Sequence, residues 1–347
     1  MLALNSAFNG KSILVTGGTG TFGREFCREL LENYKPARVI VYSRDEYKQS
    51  VMAEETPYKK KTMRFFLGDV RDQARLIRAM GGVDIVVHAA ALKQVPAAEY
   101  NPIEFIKTNI NGATNVVEAA LTAGVSKVVA LSTDKAVNPL NLYGATKLCS
   151  DKVFIAANSY RGSVGTRFSV VRYGNVLGSR GSVIPLFLEQ KQTGKITVTD
   201  LEMTRFFMTV QRGVKFVMES IQMMEGGELF IPKIPSCRLQ DIIDVLAPDC
   251  ERETIGMRPG EKLHELLINS DMAHLALEFD NYYIVQPLLH FWQLPSRMKQ
   301  GKPCAAGFSY ASNTNTLWMT KEDIQRECIK IAEDLGYSVG FVTGDSR

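Results

Sequence analysis

The fold of this chain is decided by the stretch Ser12-Ile-Leu-Val-Thr-Gly-Gly-Thr-Gly-Thr-Phe-Gly23. A short apolar run leads directly into a glycine-rich loop, and an amphipathic helical pattern follows over residues 22–34. Gly17, Gly20 and Gly23 suit three tasks, which are a tight turn, close approach of the backbone to a pyrophosphate, and close packing of helix on strand. The N-terminus of the helix then offers free amide groups and a partial positive charge to an anion. The stretch therefore predicts a dinucleotide-binding β–α–β unit.

Strand and helix patterns alternate through the first two-thirds of the chain. The strand candidates are continuous apolar runs, which is typical of strands buried on both faces of a parallel sheet. After the first strand, the predicted strands cover 38–43, 64–67, 84–89, 127–132 and 168–173, and the predicted helices cover 46–53, 72–80, 102–123 and 143–160. Repeated β–α units with right-handed crossovers predict an α/β fold with a doubly wound parallel sheet of the Rossmann type.

The pattern changes after about residue 176, where short strands and helices mix. We predict a first domain over 1–176, which carries the cofactor site and the catalytic residues, and a smaller α/β substrate lobe over 177–290, with the chain crossing back to the first domain. Residues 291–347 form a C-terminal extension of open role. The elements predicted here are strands over 196–199, 228–231 and 253–255, helices over 184–192, 211–224, 239–246 and 261–268, a mobile or extended stretch over 295–315, and a helix over 324–335 that starts near Thr320.

Length and composition exclude several classes of protein. The chain has 347 residues, of which 45% are hydrophobic and 22% are charged, and 41 Lys and Arg against 37 Asp and Glu give a net charge of +4. These values exclude a disordered chain, a collagen-like fibre and a disulfide-rich mini-protein. The basic residues are scattered, and the run Lys59-Lys60-Lys61 has no aromatic interleaving. We therefore expect no nucleic-acid partner.

Cysteine spacing and the length of the apolar runs indicate the compartment. The six cysteines lie far apart without a CxxC or CxH spacing, so we expect no metal site. Isolated cysteines in apolar helical patterns, such as Cys27 and Cys149, are expected to be small core residues in a reducing compartment. The start of the chain lacks a secretory signal pattern, and no apolar run reaches the length of a bilayer-spanning helix. We expect a soluble, cytoplasmic protein without a membrane partner.

The choice of cofactor is predicted from the end of the second strand. NAD sites place an acidic residue about 20 positions after the loop, whereas this chain has Arg44 there and Lys48 one helical turn later. A guanidinium matches a 2′-phosphate, so we predict NADP, and the neighbouring Asp45 keeps NAD as the alternative. Asp69 is placed to meet an adenine amino group. The predicted cofactor residues are Gly17, Thr19, Gly20, Thr21, Phe22, Gly23, Ser43, Arg44, Lys48, Asp69, Val70, Ala89, Ala90, Ala91 and Lys93, together with Tyr143 and Lys147.

Tyr143 and Lys147 form the first half of a candidate catalytic group. They are four residues apart, so they share a helix face. A phenol has a pKa of about 10, and a neighbouring ammonium with a positively charged nicotinamide is expected to lower it. A tyrosine tuned in this way takes a proton from a substrate hydroxyl as hydride leaves for the cofactor, while Lys147 holds the nicotinamide ribose. Tyr-x-x-x-Lys is common on solvated helix faces, but its position after the glycine-rich loop favours catalysis.

The end of the fifth predicted strand supplies the second half of this group. The segment Leu131-Ser-Thr-Asp-Lys135 places two titratable side chains, Asp134 and Lys135, beside the predicted cofactor. A structural ion pair at a strand end is the alternative. His88 lies in an apolar strand, and we predict a core histidine there. The predicted catalytic set is Thr133, Asp134, Lys135, Tyr143 and Lys147.

Six further segments support a resemblance that covers residues 10–290. They are Ala91-Leu-Lys-Gln-Val-Pro96, Ser132-Thr-Asp-Lys-Ala136, Arg172-Tyr-Gly-Asn-Val176, Gly178-Ser-Arg-Gly-Ser182, Met203-Thr-Arg-Phe206 and Arg258-Pro-Gly-Glu-Lys-Leu-His-Glu265. The chain resembles the extended short-chain dehydrogenase/reductase family and, within it, the inverting UDP-N-acetylglucosamine 4,6-dehydratases. That group makes the first intermediate of pseudaminic acid, a sugar placed on flagellins and other surface glycans.

The resemblance implies a reaction and a role for each catalytic residue. C4 of the sugar is oxidised, water is eliminated across C5 and C6, and hydride returns to C6, so that tightly bound NADP is regenerated in each turnover. By resemblance, Tyr143 deprotonates the C4 hydroxyl, Asp134 protonates the leaving C6 hydroxyl, and Lys135 removes the C5 proton. Reprotonation from the opposite face inverts C5. These roles require a raised pKa for Asp134 and a lowered one for Lys135.

The resemblance also implies a substrate pocket and an assembly. The guanidinium groups of Arg205 and Arg258 fit a diphosphate, and a surface salt bridge is the alternative for each pocket residue. His264 is expected to be structural. A homo-oligomer, either a dimer through helices 102–123 and 143–160 or a hexamer, is implied. The residues implied to bind UDP-N-acetylglucosamine are Lys93, Asn175, Ser182, Val183, Thr199, Arg205, Arg258 and Glu261.

Three other functions are compatible with parts of this pattern. A nucleotide-sugar 4-epimerase uses the same loop, Tyr143 and Lys147, but has no need of Asp134 and Lys135 because nothing is eliminated. A C5-retaining 4,6-dehydratase shares the Thr-Asp-Lys segment, but relatives of that kind usually carry an N-terminal membrane region and lack the tyrosine. An NADP-sensing binding protein keeps the fold and commonly loses the Tyr/Lys pair, which is intact here.

Overall fold

A computed structural model describes residues 7–163, 165–178, 182–293 and 295–337 of the chain. The strands, in chain order, are β1 (Ser12–Thr16), β2 (Arg38–Ser43), β3 (Met63–Leu67), β4 (Ile85–His88), β5 (Lys127–Thr133), β6 (Arg167–Tyr173), β7 (Asn175–Val176), β8 (Lys195–Val198), β9 (Thr204–Met208), β10 (Leu229–Pro232), β11 (Ser236–Arg238), β12 (Glu251–Thr254), β13 (Leu266–Ile268), β14 (Ala276–Glu278), β15 (Tyr282–Val285), β16 (Lys302–Pro303) and β17 (Tyr310–Ala311).

The helices include one long element, α7, and several of two to four turns. In chain order they are α1 (Thr21–Asn33), α2 (Glu46–Glu54), α3 (Gln73–Ala79), α4 (Val95–Tyr100), α5 (Pro102–Phe105), α6 (Gly112–Ala123), α7 (Leu142–Tyr160), α8 (Val183–Lys191), α9 (Val210–Met223), α10 (Leu239–Leu246) and α11 (Lys321–Asp334). A π-helical segment, Ile106–Asn111, joins α5 to α6, and 3₁₀ turns cover Asp134–Ala136, Ser270–Leu275 and Ser296–Lys299.

Two compact units are built from interleaved parts of the chain. Unit 1 comprises Met1–Tyr173, Val210–Lys233 and Leu267–Ser309, and unit 2 comprises Gly174–Thr209, Ile234–Leu266 and Tyr310–Arg347. The second and third parts of unit 1 therefore include α9, β10 and β15, which follow residue 176. The assignment of the predicted domains to cofactor and sugar nucleotide stays a prediction.

Unit 1 is organised around a ten-stranded sheet. Its order is β16-β14-β15-β10-β6-β5-β4-β1-β2-β3. The seven strands β10, β6, β5, β4, β1, β2 and β3 run parallel to one another. β15, β14 and β16 extend the sheet in antiparallel pairs. β1 is buried along its whole length, as its continuous apolar run predicts. The predicted α/β fold with a doubly wound, mainly parallel sheet is confirmed.

Unit 2 has a smaller core of its own. A three-stranded sheet has the order β11-β9-β7, and β8 pairs with β12 in parallel. α8, α10 and α11 contribute buried residues to one apolar cluster, among them Phe187, Ile243 and Cys328. The predicted start of the last helix is confirmed, because Thr320 and Asp323 form a reciprocal capping box at α11.

Three local expectations differ from the structure. The predicted helix over 261–268 is wrong: the main chain of Leu263 and Glu265 bonds to other segments of unit 2, and Leu266–Ile268 forms β13. The predicted single helix over 102–123 is interrupted by the π-helical segment. The stretch predicted to be mobile or extended over 295–315 contains a 3₁₀ turn and two short strands, in which Tyr310 is buried.

Candidate active site

The glycine-rich loop between β1 and α1 forms a cradle that excludes side chains. Gly17 has a positive φ of 67°, and a Cβ there would lie 2.9 Å from the main chain of Ala90. A Cβ at Gly23 would lie 2.5 Å from Gly18 Cα. α1 begins after Gly20 without a side-chain hydrogen bond to its first turn, so the amides of that turn are available to an anion. This geometry fits the pyrophosphate of a dinucleotide.

The residues after β2 lie beside this loop. Thr19 Oγ1 and Ser43 Oγ are 3.0 Å apart. The Arg44 side chain is 57% exposed and lies 3.8 Å from an Asp69 carboxylate oxygen. Asp45 caps α2 by accepting a hydrogen bond from the Lys48 amide and pairs with the Lys48 ammonium. The Asp45 carboxylate, the acidic group on which the alternative of NAD rested, is therefore engaged at the start of its own helix. The guanidinium of Arg44 is exposed to solvent.

The segments after β3 and β4 complete the predicted cofactor surface. Asp69 accepts a hydrogen bond from the Arg71 amide at 3.0 Å, and Val70 is buried. The Ala90 amide donates to Thr16 Oγ1 at 3.3 Å, which holds the segment after β4 against the end of β1. The structure therefore brings the loop, Ser43, Asp69 and Ala90 to the carboxyl ends of neighbouring parallel strands, where α/β sheets bind ligands.

Asn109 is a site residue that the sequence analysis missed. It is buried in the π-helical segment, its amide group donates to Leu92 O (2.8 Å) and Thr146 Oγ1 (3.0 Å), and its carbonyl accepts from the Leu92 amide (2.9 Å). It thereby ties the segment after β4 to the helix that carries Tyr143. An asparagine inside an apolar helical pattern was the available signal, but its partners are distant in sequence. π-helical turns often occur at functional sites.

Tyr143 and Lys147 lie in the first turns of α7, and both are buried. Asn141 caps this helix by accepting a hydrogen bond from the Gly144 amide at 2.8 Å. A Cβ at Gly144 would lie 2.1 Å from the Lys135 carbonyl oxygen, so only glycine permits this approach. The contact holds the 3₁₀ turn Asp134–Ala136 against the start of α7.

Burial dominates the ionisation of Tyr143. Desolvation raises the pKa of this phenol to about 12, although the charge of Lys135 and a hydrogen bond with Thr133 oppose the shift. The expected lowering is therefore wrong for the protein alone, because loss of water costs the phenolate more than the neighbouring cation restores. Burial also lowers the pKa of Lys147, and the charge of Asp151 opposes that shift.

Asp134 is fully buried and is held by its neighbours in sequence. Its Oδ1 accepts hydrogen bonds from Thr133 Oγ1 at 2.9 Å and from Lys135 Nζ at 3.1 Å. Its Oδ2 is buried without a hydrogen-bond partner among the described residues. The carboxyl group thus has one satisfied oxygen and one open oxygen, and a buried polar atom without a partner favours a polar ligand. Lys93, a predicted cofactor and substrate residue, lies near the same turn. Burial lowers the pKa of its ammonium, and the positive charge of Lys135 lowers it further.

Two predicted substrate residues of unit 2 have open polar atoms. Asn175 Oδ1 and Ser182 Oγ are buried and have no hydrogen-bond partner in the part of the chain that the structure describes. Ser182 precedes α8 without capping it, and Val183 is the first residue of that helix. Buried polar atoms without partners are costly, so these two favour a polar ligand.

The other predicted substrate residues of unit 2 are engaged in local contacts. Arg205 donates to the carbonyl oxygens of Thr204 (2.8 Å) and Leu263 (3.0 Å), and Thr199 Oγ1 donates to Met203 Sδ at 3.2 Å. The Arg258 amide donates to a Glu261 carboxylate oxygen at 3.2 Å.

The two histidines singled out by the sequence analysis make structural contacts. His88 is buried and lies 2.9 Å from Thr16 Oγ1, and burial lowers its pKa to about 3, so it is neutral. The prediction of a core histidine is confirmed. His264 Nδ1 lies 2.9 Å from Thr204 Oγ1.

Within the described ranges, no cluster of three or more His, Cys, Asp or Glu side chains is arranged to hold a metal ion. None of the helices in those ranges is both long and apolar enough to cross a bilayer.

Comparisons with known proteins place the chain among enzymes that act on nucleotide sugars. The family model described as "Polysaccharide biosynthesis protein" matches residues 13–287. An inverting UDP-N-acetylglucosamine 4,6-dehydratase of Campylobacter jejuni is 52% identical over 91% of this chain and 97% of its own. A UDP-glucose 4-epimerase of Rickettsia canadensis is 40% identical over 80% of this chain and 83% of its own.

Two solved structures are similar as well. The X-ray structure of Pen from Bacillus thuringiensis has a TM-score of 0.84 and 40% identity, and covers 93% of this chain and 98% of that one. DesIV of Streptomyces venezuelae, a dTDP-glucose 4,6-dehydratase solved with NAD and TYD bound, has a TM-score of 0.64 and 25% identity, with coverages of 73% and 86%. The chain therefore belongs to the polysaccharide biosynthesis protein family, as a relative of the inverting UDP-N-acetylglucosamine 4,6-dehydratases that its motifs resemble.

Proposed function

We propose that this chain is a UDP-N-acetylglucosamine 4,6-dehydratase that inverts C5 and forms UDP-2-acetamido-2,6-dideoxy-β-L-arabino-hexos-4-ulose. The observation that carries the proposal is the close packing of the Asp134–Lys135 turn against the start of the Tyr143 helix, through Gly144. Oxidation at C4 needs one protein base beside the cofactor, whereas elimination across C5 and C6 needs a further acid and base. The 52% identity to an inverting dehydratase supports the same reaction.

In this mechanism each residue moves one proton. A nicotinamide cofactor, which the loop between β1 and α1 would hold, would supply the hydride acceptor for C4 and the hydride donor for C6. Tyr143 takes the proton of the C4 hydroxyl, and the resulting ketone makes the C5 proton acidic. Lys135 removes that proton, and Asp134 protonates the departing C6 hydroxyl. A proton from solvent, delivered to the opposite face of C5, then inverts this centre. The enzyme is thus a hydro-lyase whose cofactor is restored in each turnover.

For the cofactor, we propose tightly bound NADP. The exposed Arg44 guanidinium stands at the carboxyl end of β2, where a 2′-phosphate would lie, and the Asp45 carboxylate is used as a helix cap. The related DesIV structure was solved with NAD, so NAD is the competing choice. The loop between β1 and α1 would hold the pyrophosphate of either cofactor.

We propose that unit 1 binds the cofactor and that unit 2 contributes residues to the sugar nucleotide. The open oxygens of Asn175 and Ser182 support this role for unit 2. Arg205 and Arg258 are assigned to the diphosphate. Lys93, Val183, Thr199 and Glu261 complete the proposed set. The biological setting that we propose is the first step of pseudaminic acid biosynthesis in the cytoplasm, for flagellin or another surface glycan, by a dimer or hexamer.

A 4-epimerase is the second candidate, because Rickettsia relatives with that name are 40% identical over most of their length. Both reactions begin with oxidation at C4, in which Tyr143 takes the proton of the hydroxyl group. They part at C5, where only the dehydratase removes a proton. Asp134 and Lys135 would then form a structural ion pair, which their 3.1 Å contact also satisfies.

The deciding experiment is incubation of the purified chain with UDP-N-acetylglucosamine, followed by mass spectrometry and proton NMR of the product in D₂O. We expect loss of one water, one deuterium at C5 and inversion of that centre. Loss of water with C5 retained would reject the inversion, and an unchanged mass with C4 inverted would identify an epimerase. Lys135→Ala is expected to abolish water loss, and full turnover by this variant would reject its role as the base.

A further inference from the structure

The catalytic helix carries a third buried ionisable residue in line with Tyr143 and Lys147. Asp151 lies four residues beyond Lys147 on α7, so the three side chains share one helix face. Tyr143 is 9% exposed, Lys147 4% and Asp151 2%. A buried ammonium needs an anion nearby to remain charged. Asp151 is the acidic residue whose charge acts on Lys147.

The carboxylate of Asp151 is fixed by the two strands beneath the helix. Its Oδ2 accepts hydrogen bonds from Ser132 Oγ on β5 at 2.7 Å and from Arg172 Nη2 on β6 at 3.0 Å. Arg172 is 2% exposed, and its Nη1 donates to the Leu267 carbonyl oxygen at 3.2 Å. The Asp151 carboxylate therefore pairs with the buried Arg172 and lies one helical turn beyond the buried Lys147, on whose ammonium its charge acts.

We propose that Asp151 and Arg172 are positioning residues for the reaction. The Asp151 carboxylate keeps the Lys147 ammonium charged beside Tyr143. Arg172 fixes that carboxylate and partly neutralises its charge, so that the charge acts less strongly on Tyr143. The inference rests on the proposed function, because it takes from it the roles of Tyr143 and Lys147. Neither Asp151 nor Arg172 needs to touch substrate or cofactor in this arrangement.

The sign of each effect follows from the charges. A neighbouring anion raises the pKa of an ammonium and of a phenol alike, and Asp151 raises the pKa of both Lys147 and Tyr143. Other groups act on this pair from the neighbouring elements. They are His88 on β4, which is neutral, Lys135 and Asp134 in the 3₁₀ turn, and Tyr173 on β6, whose pKa is raised by burial. None of these groups is itself changed by substitution of Asp151 or Arg172.

The test is the pH dependence of kcat/KM for UDP-N-acetylglucosamine turnover. The acid limb of the profile reports the ionisation of Tyr143, and the alkaline limb reports that of Lys147. Asp151→Asn removes the anion, so both limbs are expected to move toward lower pH by about one pH unit, as for loss of a charge partner. At a pH above the shifted alkaline limb, kcat/KM is then about tenfold below wild type. Arg172→Gln removes the cation that pairs with Asp151, so the negative charge of Asp151 acts more strongly on Tyr143 and Lys147. Both limbs are therefore expected to move toward higher pH. Asp151→Glu is expected to restore the wild-type limbs.

A matched control separates this role from general stability. Glu228 is another fully buried acid of unit 1, held by Ser169 Oγ at 2.5 Å, and it is not among the groups that act on Lys147 or Tyr143. Glu228→Gln is expected to leave both limbs in place. Reduced rates with unmoved limbs for Asp151→Asn and Arg172→Gln would overturn the proposal, as would shifts of both variants in the same direction.

A titration of the wild-type protein covers the case in which these variants do not fold. Protein labelled with ¹³C at lysine Cε is titrated by NMR, and the Lys147 signal is assigned by its absence in Lys147→Arg. We expect the Lys147 signal at neutral pH to be that of the ammonium, and the signal of the neutral amine at that pH would overturn the proposal. This titration needs no turnover, so a wild-type protein without dehydratase activity would reject the proposed function separately.

Discussion

Gly144→Ala tests whether the placement of Lys135 limits the reaction. A Cβ at this position would lie 2.1 Å from the Lys135 carbonyl oxygen and 3.1 Å from Pro139 Cβ. Since real Cβ contacts essentially never fall below 3.0 Å, the distance must grow from 2.1 Å by about 0.9 Å at least. The obstacle is main chain, so no side-chain rotation relieves it. The Asp134–Ala136 turn and the start of α7 must therefore separate.

The size of the effect follows from this displacement. Misplacement of a reacting group by about 1 Å can cost about a hundredfold in rate, so we expect kcat to fall between about tenfold and hundredfold. Alanine is favoured over glycine within a helix by about 1 kcal/mol, whereas overpacking costs about 1–3 kcal/mol. The net loss of stability is thus at most about 2 kcal/mol, and the variant is expected to fold.

The assay follows two signals during turnover of UDP-N-acetylglucosamine. Absorbance of the reduced nicotinamide reports oxidation at C4, and the product mass reports loss of water. Displacement of Lys135 is expected to slow water loss more than oxidation, so reduced cofactor accumulates in Gly144→Ala. Gly81→Ala is the matched control, because its Cβ would meet no atom closer than 3.5 Å. Turnover by Gly144→Ala within twofold of wild type, or an equal loss in Gly81→Ala, would refute the reasoning.

Three further predictions concern the cofactor, the phenol and the last helix. Arg44→Ala is expected to lower the ratio of NADP to NAD affinity at least about tenfold, as for loss of one charge-assisted hydrogen bond, and an unchanged ratio by calorimetry would reject its contact with the 2′-phosphate. Because burial raises the pKa of Tyr143 to about 12, ultraviolet difference titration of the cofactor-free protein against Tyr143→Phe is expected to show no tyrosinate from this residue below pH 10; a midpoint near neutrality would contradict the dominance of desolvation. Thr320→Ala removes the capping box of α11 and is expected to lower the free energy of unfolding by about 1 kcal/mol in urea, whereas no change would show that the cap contributes little.

Sequence patterns predicted the elements whose structure depends on local features. Continuous apolar runs gave the bounds of β1 and β2 without error, because strands buried on both faces need no partner-specific signal. Residues 261–268 have apolar residues at helical spacing, yet their main chain bonds to other segments of unit 2. Tertiary pairing decided the conformation there, and a single sequence does not display its partners.

The residues of the candidate site likewise fall into two groups, those that local sequence patterns predicted and those that they did not. The spacing of Tyr143 and Lys147 and the adjacency of Asp134 and Lys135 are local, so the sequence could display them. Arg172 lies 21 residues beyond Asp151, and Asn109 lies 37 residues before Thr146. Contacts over such separations depend on the order of strands in the sheet, which is why the sequence analysis did not assign these side chains.

The interleaving of the two units bears on how the chain is made. The parallel part of the sheet up to β6 is complete once residue 173 has been synthesised, but β10 joins β6 only after residue 232 and β15 joins β10 only after residue 285. Until then, the growing chain presents an apolar strand edge that can pair with other chains. Fragments that end between β6 and β10 are therefore expected to expose the edge of β6, and neither unit can be excised as one continuous segment.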